Sequence, residues 1–305
     1  MTLGAHSELC EMVQFPKKQK QLYLMPRNSF KSSVVTIGYT LWRLVNDPTE
    51  RILIVSETYG QAKNFLKEVK DHIEKNPTFK SLFGELRPTE KDAIWRQEEI
   101  TIKKPFRAGG GKEPSVTVTG IGQEKTGMHY PLVILDDLVS GRNTQTAEQM
   151  KKVIDYYRSM LSILSPGGRL ICIGTRWSYG DLYSHILDNE SKIFETMKKA
   201  AIQEDGSLFF PEVLSKEFLE GQRKAQGAYM FTCNPGEAPV LMSDWTTKPI
   251  KDVKHDDIVI GYDLGDKDKR SKLRPALVGA VNSRIAKVYK VTMESGRIIR
   301  CTEDH

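Results

Sequence analysis

Five short apolar runs, LYLM (22–25), ILIVSE (52–57), VTVTGI (116–121), LVILD (132–136) and RLICIG (169–174), fall at intervals along residues 20–190. Runs apolar on both faces must be covered on both faces. The intervening segments can do this: KSSVVTIGYTLWRLV (31–45), YGQAKNFLKEVKDHIEK (59–75) and AEQMKKVIDYYRSMLSIL (147–164) carry apolar residues at three- and four-residue spacing. The pattern predicts an α/β core of roughly two hundred residues, a parallel sheet with helices on both faces. After Glu212 the pattern changes to one helix, SKEFLEGQRKAQGAYMF (215–231), followed by short strands such as DIVIGYD, ALVGAV and KVYKVTM with a turn at ESGR. Alternation punctuated by Gly and Pro makes that last part an all-β segment.

A length of 305 residues favours about two domains on the ~150-residue prior. Lys plus Arg number 45 against 39 Asp plus Glu, an excess that permits a polyanionic partner without selecting one. The four cysteines, Cys10, Cys172, Cys233 and Cys301, include no C-x-x-C pair, so any special role for one of them is that of a nucleophile. The first residues, MTLGAHSELCEMVQF, hold acidic residues and no apolar signal core, and no run approaches a membrane span of about 20 residues. The expectation is a cytoplasmic protein with no membrane partner.

The chemistry-bearing stretch is LYLMPRNSFKSS (22–33): a strand, a short loop, then Lys31-Ser32-Ser33 entering a helix. Such a loop, here Pro26, Arg27, Asn28, Ser29, Phe30, Lys31, Ser32 and Ser33, aims the backbone N–H groups of residues 27–33 at phosphate oxygens. It also supplies an ammonium for the β/γ-phosphates and a hydroxyl for Mg²⁺. The G-x-x-x-x-G-K-[ST] pattern would place glycines at 25 and 30, where this chain has Met25 and Phe30. An ordinary helix start with Ser29 as N-cap also fits the segment taken alone. LVILDD (132–137) adds an apolar strand ending in two carboxylates, with Asp136 placed to face a phosphate-bound Mg²⁺ and Asp137 to orient the attacking water. Together the two segments point to NTP hydrolysis. The second Gly-Lys, in AGGGKEPS (108–115), is followed by Glu113 and Pro114, which offer phosphate an anion and a missing donor, so it reads as a loop.

With these motifs in hand, residues 15–232 resemble the large terminase subunit of tailed phages, a P-loop NTPase that drives DNA into procapsids. MPRNSFKSS is similar to that family's divergent Walker A, GQEKTGMHYPLVILDDLV (122–139) to its Walker B region, GGRLICIGTRWSYGDLYSHIL (167–187) to its coupling motif, and LFFPEVLSKEFLEGQRKAQGAYMF (208–231) to its Phe-Pro-Glu connector. The resemblance implies that Lys31 and Ser32 hold phosphate and Mg²⁺ and that Asp136 helps coordinate the metal. It puts Asp137 where the family has its catalytic glutamate, one methylene shorter. Arg27 matches the arginine of the family's phosphate loop, and Thr175 and Arg176 its coupling residues, placed to sense the γ-phosphate. ATP, Mg²⁺, double-stranded viral DNA, a portal, a small terminase subunit and an oligomer on the procapsid in an infected cell follow as expectations.

The family's connector leads into an RNase H-like nuclease, but at Cys233 the sequence changes. CNPGEAPVLMSDWTTKPIKDVKHDDIVIGYD (233–263) resembles the first block of an intein, and VYKVTMESGRIIRCTEDH (288–305) its second block with the T-x-x-H signature. In that resemblance Cys233 attacks the preceding Thr232 carbonyl, and Thr302 and His305 polarise the scissile amide and protonate its nitrogen. The expected organisation is a terminase P-loop ATPase domain (1–207), a connector helix (208–232) and a small, incomplete Hint-like all-β segment (233–305). That segment would be split or truncated, its partner a complementary C-intein and nuclease chain. One alternative makes IVIGYDLGDKDK the first nuclease strand of a domain begun at 256–305, with Asp263 a metal ligand. Others are a helicase-type P-loop ATPase with no packaging role, and a nucleotide-binding protein whose Asp137 is too short for turnover.

Overall fold

The computed structural model describes residues 3–89, 93–103, 113–123, 127–144, 146–177, 180–203, 205–226, 239–249, 252–254, 256–263, 272–278, 288–292 and 298–302. The chain divides into two compact units, Met1–Ala201 and Ile202–His305.

The first unit opens with α1 (Leu3–Gln14), β1 (Lys20–Leu24), a π-helical segment (Ser33–Tyr39) running into α2 (Thr40–Asn46), β2 (Ile52–Ser56), α3 (Tyr59–Lys75) and α4 (Pro77–Phe83). It continues through β3 (Glu99–Ile100), β4 (Val116–Gly120), β5 (Tyr130–Asp136), α5 (Ala147–Ser162), β6 (Leu164–Gly174), α6 (Leu182–Asn189) and β7 (Phe194–Lys198). The strands form one sheet in the order β3-β4-β2-β5-β6-β1-β7, parallel at every pairing except β3 with β4. Ile52, Leu53, Ile54 and Val55 are wholly buried, as are Val133, Ile134, Leu170, Ile171 and Ile173, which is why these strands read as unbroken apolar runs. Helix starts follow local chemistry. Thr58 caps α3 by accepting from the Gln61 amide, Thr146 and Gln149 close a capping box on α5, and Asp181 accepts from the Ser184 amide to start α6.

Two features depart from the sequence reading. The helix expected over 31–45 is interrupted: after Lys31 and Ser32 it widens into a π-helix over Ser33–Tyr39 and returns to regular α-helix from Thr40. That stretch is rich in buried β-branched residues, Val34, Val35, Thr36 and Ile37, and π-helical segments are frequent at functional sites. β6 starts five residues before RLICIG and pairs with β5 across an irregularity near Leu132. Pro166 and two glycines hid that extension, Gly167 with φ +74° and Gly168 with no room for a Cβ beside the Ser165 and Pro131 carbonyls.

The second unit contains α7 (Lys216–Gln226) and antiparallel ladders β8–β9 (Pro239–Leu241 with Thr247–Pro249), β10–β11 (Ile258–Asp263 with Lys272–Leu277) and β12–β13 (Val288–Thr292 with Ile298–Thr302). Among the described residues the strands after α7 pair as antiparallel ladders. The core of the loop AGGGKEPS lies outside the described residues, and its Glu113 pairs with Arg51.

Candidate active site

β1 delivers the chain to the C-terminal edge of the sheet, where Met25 leaves the strand with its amide bonded to the Gly174 carbonyl (3.0 Å). The loop that follows turns without glycine. Asn28 and Phe30 take left-handed backbone at φ 60° and 57°, a conformation that disfavours a residue with a Cβ. Phe30 occupies the very position where the phosphate-loop pattern has its second glycine, so the bulky residue conceals a conformation that is kept. The loop is held by its surroundings: Ser29 Oγ donates to the Pro26 carbonyl (2.7 Å), and His6 Nε2 of α1 lies 2.6 Å from the Ser29 carbonyl oxygen. His6 is 2% exposed and Ser29 1%, so the contact works from beneath the loop.

The π-helical widening places two hydroxyls four residues apart on one carboxylate. Ser32 Oγ donates to Asp136 Oδ1 (3.0 Å) and Thr36 Oγ1 to Asp136 Oδ2 (2.5 Å). Asp136 is fully buried, and burial pushes its carboxyl up to about 7; the neighbouring Asp137 charge adds to the rise, while Thr36, Lys31 and Ser32 oppose it. An oxygen-only donor set around a buried acid suits a hard cation such as Mg²⁺, which takes hydroxyl and carboxylate oxygens and would restore the charged form.

Lys31, 6% exposed, is ion-paired with Asp137 at 3.0 Å. Asp137 also lies in left-handed backbone (φ 47°), its amide donating to the Ile173 carbonyl (2.9 Å), and its Oδ1 is buried with no hydrogen-bond partner among the described residues. Strain and an orphan oxygen at one residue mark a place built for more than packing.

β6 lies between β1 and β5, so the residues after it reach both. Thr175 Oγ1 donates to the Met25 carbonyl (3.0 Å). Arg176 donates to Ser184 Oγ of α6 (2.8 Å), and the Trp177 amide to the α6 cap Asp181 (3.4 Å). The Trp177 ring packs on Gly141, where a Cβ would lie 3.1 Å from it, and the Arg27 guanidinium sits 3.7 Å from the Trp177 ring centroid. Burial pushes the Arg27 guanidinium below its usual value, with Asp137 partly offsetting the drop.

The fold thus gathers Pro26 to Ser33, Asp136, Asp137, Thr175 and Arg176 at one sheet edge, with Arg176 bonded to Ser184 of α6. Cys233 and His305 lie outside the described residues, and Thr302 ends β13 opposite Val288. Reasoning from sequence missed His6, Thr36 and the stacking of Arg27 on Trp177. Of these only Thr36 carried a signal, a hydroxyl one helical turn after Ser32.

A large terminase subunit of Enterobacteria phage T3 aligns with 27% identity over 220 residues, covering 68% of this chain and 35% of that protein. This chain is similar to a phage terminase large subunit. It spans about a third of the length of that curated relative. No family model matches the chain. Among solved structures, the HK97 bacteriophage large terminase overlays with a TM-score of 0.47 at 15% identity, covering 72% of this chain and 46% of that one. The large terminase of a thermophilic bacteriophage, in complex with ADP, gives 0.48 at 11% identity, covering 86% and 61%. The Phi-28 gp11 DNA packaging motor gives 0.45 at 11%, covering 97% and 78%.

Proposed function

We propose that residues 1–207 form the ATP-hydrolysing motor domain of a phage terminase large subunit, with 208–232 as its connector. The observation that carries this reading is the convergence of Ser32 and Thr36 on buried Asp136 beside the Lys31–Asp137 pair, at the end of a parallel sheet. In this reading the loop Pro26 to Ser33 cradles the phosphates through the amides of residues 27–33, Lys31 leaves Asp137 for the β/γ-phosphates, and Ser32 and Asp136 would hold Mg²⁺. The metal, when bound, supplies neutralisation of the developing phosphate charge. Arg27 stabilises charge on the transferring group, and Thr175, bonded to the loop backbone, carries the change to Arg176. Double-stranded viral DNA is the track, gripped through phosphates, and the portal, the small terminase subunit and further copies on the procapsid are the partners, in the cytoplasm of an infected cell.

Phosphate release from ATP should require Mg²⁺ and stop when EDTA is added, returning with excess Mg²⁺. Release that persists in EDTA would remove the metal-dependent mechanism.

For residues 233–305 the reading is an N-terminal intein segment with Cys233, Thr302 and His305 as its reacting groups, supported by the change in sequence at Cys233 and the hairpin ladders that follow. Mixing with a complementary C-intein fragment should give a thiol-cleavable intermediate at Thr232, detectable by mass spectrometry; its absence with every cognate fragment would count against the assignment. The nuclease alternative draws on β10, a strand that ends on Asp263.

A further inference from the structure

Asp137 is not the only carboxylate at the edge where Asp136 ends. β2 lies directly beside β5, with Ser56 in register opposite Asp136, so the next residue, Glu57, leaves its strand level with Asp137. We propose that Glu57 is the carboxylate that orients and deprotonates the attacking water, while Asp137 holds Lys31 in place until nucleotide arrives.

Three observations carry this assignment, which rests on the ATPase reading above. First, before nucleotide arrives Asp137 is engaged with the loop lysine: its Oδ2 pairs with the Lys31 ammonium at 3.0 Å. Second, Glu57 is half-buried and, among the described residues, its carboxylate accepts from a neutral hydroxyl, Ser140 Oγ at 2.5 Å, and meets no cation. A neutral donor leaves the carboxylate its charge and its remaining lone pairs. Ser140 is itself fixed, its amide donating to Asn143 Oδ1 (2.9 Å) and its carbonyl accepting from Thr144 Oγ1 (2.9 Å). The Glu57 side chain is therefore held over the end of β5 by an ordered loop. Third, the Ser56 hydroxyl beside Asp136 is fully buried and has no hydrogen-bond partner among the described residues. A buried orphan hydroxyl in register with the metal-facing carboxylate is a place for a polar ligand atom.

The Glu57 side chain is one methylene longer than that of Asp137. In the step itself, the water oxygen bonds to the γ-phosphorus as the bond from phosphorus to the β,γ-bridging oxygen breaks, its electron pair staying on ADP. The water proton passes to Glu57 and then to solvent, giving ADP, phosphate and a proton.

The test is single-turnover hydrolysis of radiolabelled ATP by the full chain, alongside binding of a fluorescent ATP analogue and thermal melting. Glu57→Gln should lower the hydrolysis rate by about a hundredfold or more while analogue affinity stays within about threefold and melting is unchanged, as for loss of a general base. Hydrolysis by Glu57→Gln within about threefold of wild type would overturn the assignment and leave the ATPase reading standing. An equal fall in Ser140→Ala would locate the effect in the hydrogen bond and likewise overturn it. A wild-type chain that binds no analogue would overturn both readings together.

Discussion

Replacing Lys31 with alanine is expected to abolish ATP turnover, with a loss on the order of 3 kcal/mol or more, the scale set by removing one preorganised donor. The lysine is nearly buried and already held at the mouth of the loop by Asp137, so its ammonium needs only to exchange one anion for another when a triphosphate arrives. Alanine leaves Asp137 without its partner. Because that carboxylate side chain is 36% exposed, water can take over much of its solvation and the fold should survive. Steady-state phosphate release across a range of ATP concentrations is the measurement. Turnover unchanged from wild type would leave no role for the loop.

Asp136→Asn separates function from stability. Hydrolysis dependent on Mg²⁺ should fall on the order of a hundredfold or more, since a metal acting as Lewis acid contributes several kcal/mol. Stability should move the other way. Burial holds the Asp136 carboxyl up at about 7, above the value of roughly 3.9 for an unfolded aspartate. The folded chain therefore binds this proton more tightly than the unfolded one. Its stabilising contribution is full below the unfolded value and is lost as pH rises through about 7. Asparagine cannot ionise and escapes that loss. In EDTA, the variant should melt higher than wild type at pH 8, with the difference closing at pH 4. A variant that melts lower at pH 8 would mean that Ser32 and Thr36 outweigh the burial of the charge.

The sheet was legible because each of its central strands is a short apolar run between amphipathic helices, and burial on both faces leaves no other reading of ILIVSE or LVILD. The site was legible in part. Lys31, Ser32 and Asp136 stand at spacings that follow from a strand, a loop and a helix start, and the fold brings them together. Arg27 on Trp177 could not be read, since the two are 150 positions apart and meet only because β6 inserts between β1 and β5. His6 was invisible for a similar reason: a helix before the first strand carries no mark of the loop it supports. Glu57 lay in plain view at the end of its strand, but its value depends on which strand lies alongside, a matter of topology. The π-helical turn had no signal beyond a run of β-branched residues.

A phosphate loop built on glycines keeps backbone freedom that folding or binding must take away. Here two left-handed residues without glycine, locked by the Ser29 hydroxyl and the helix below, mean that the ordering entropy is surrendered once, during folding. Capture of nucleotide then costs little rearrangement, and each successive turnover begins from a cradle already in shape. Under the motor function proposed above, rigidity of this kind favours repetition over adaptability.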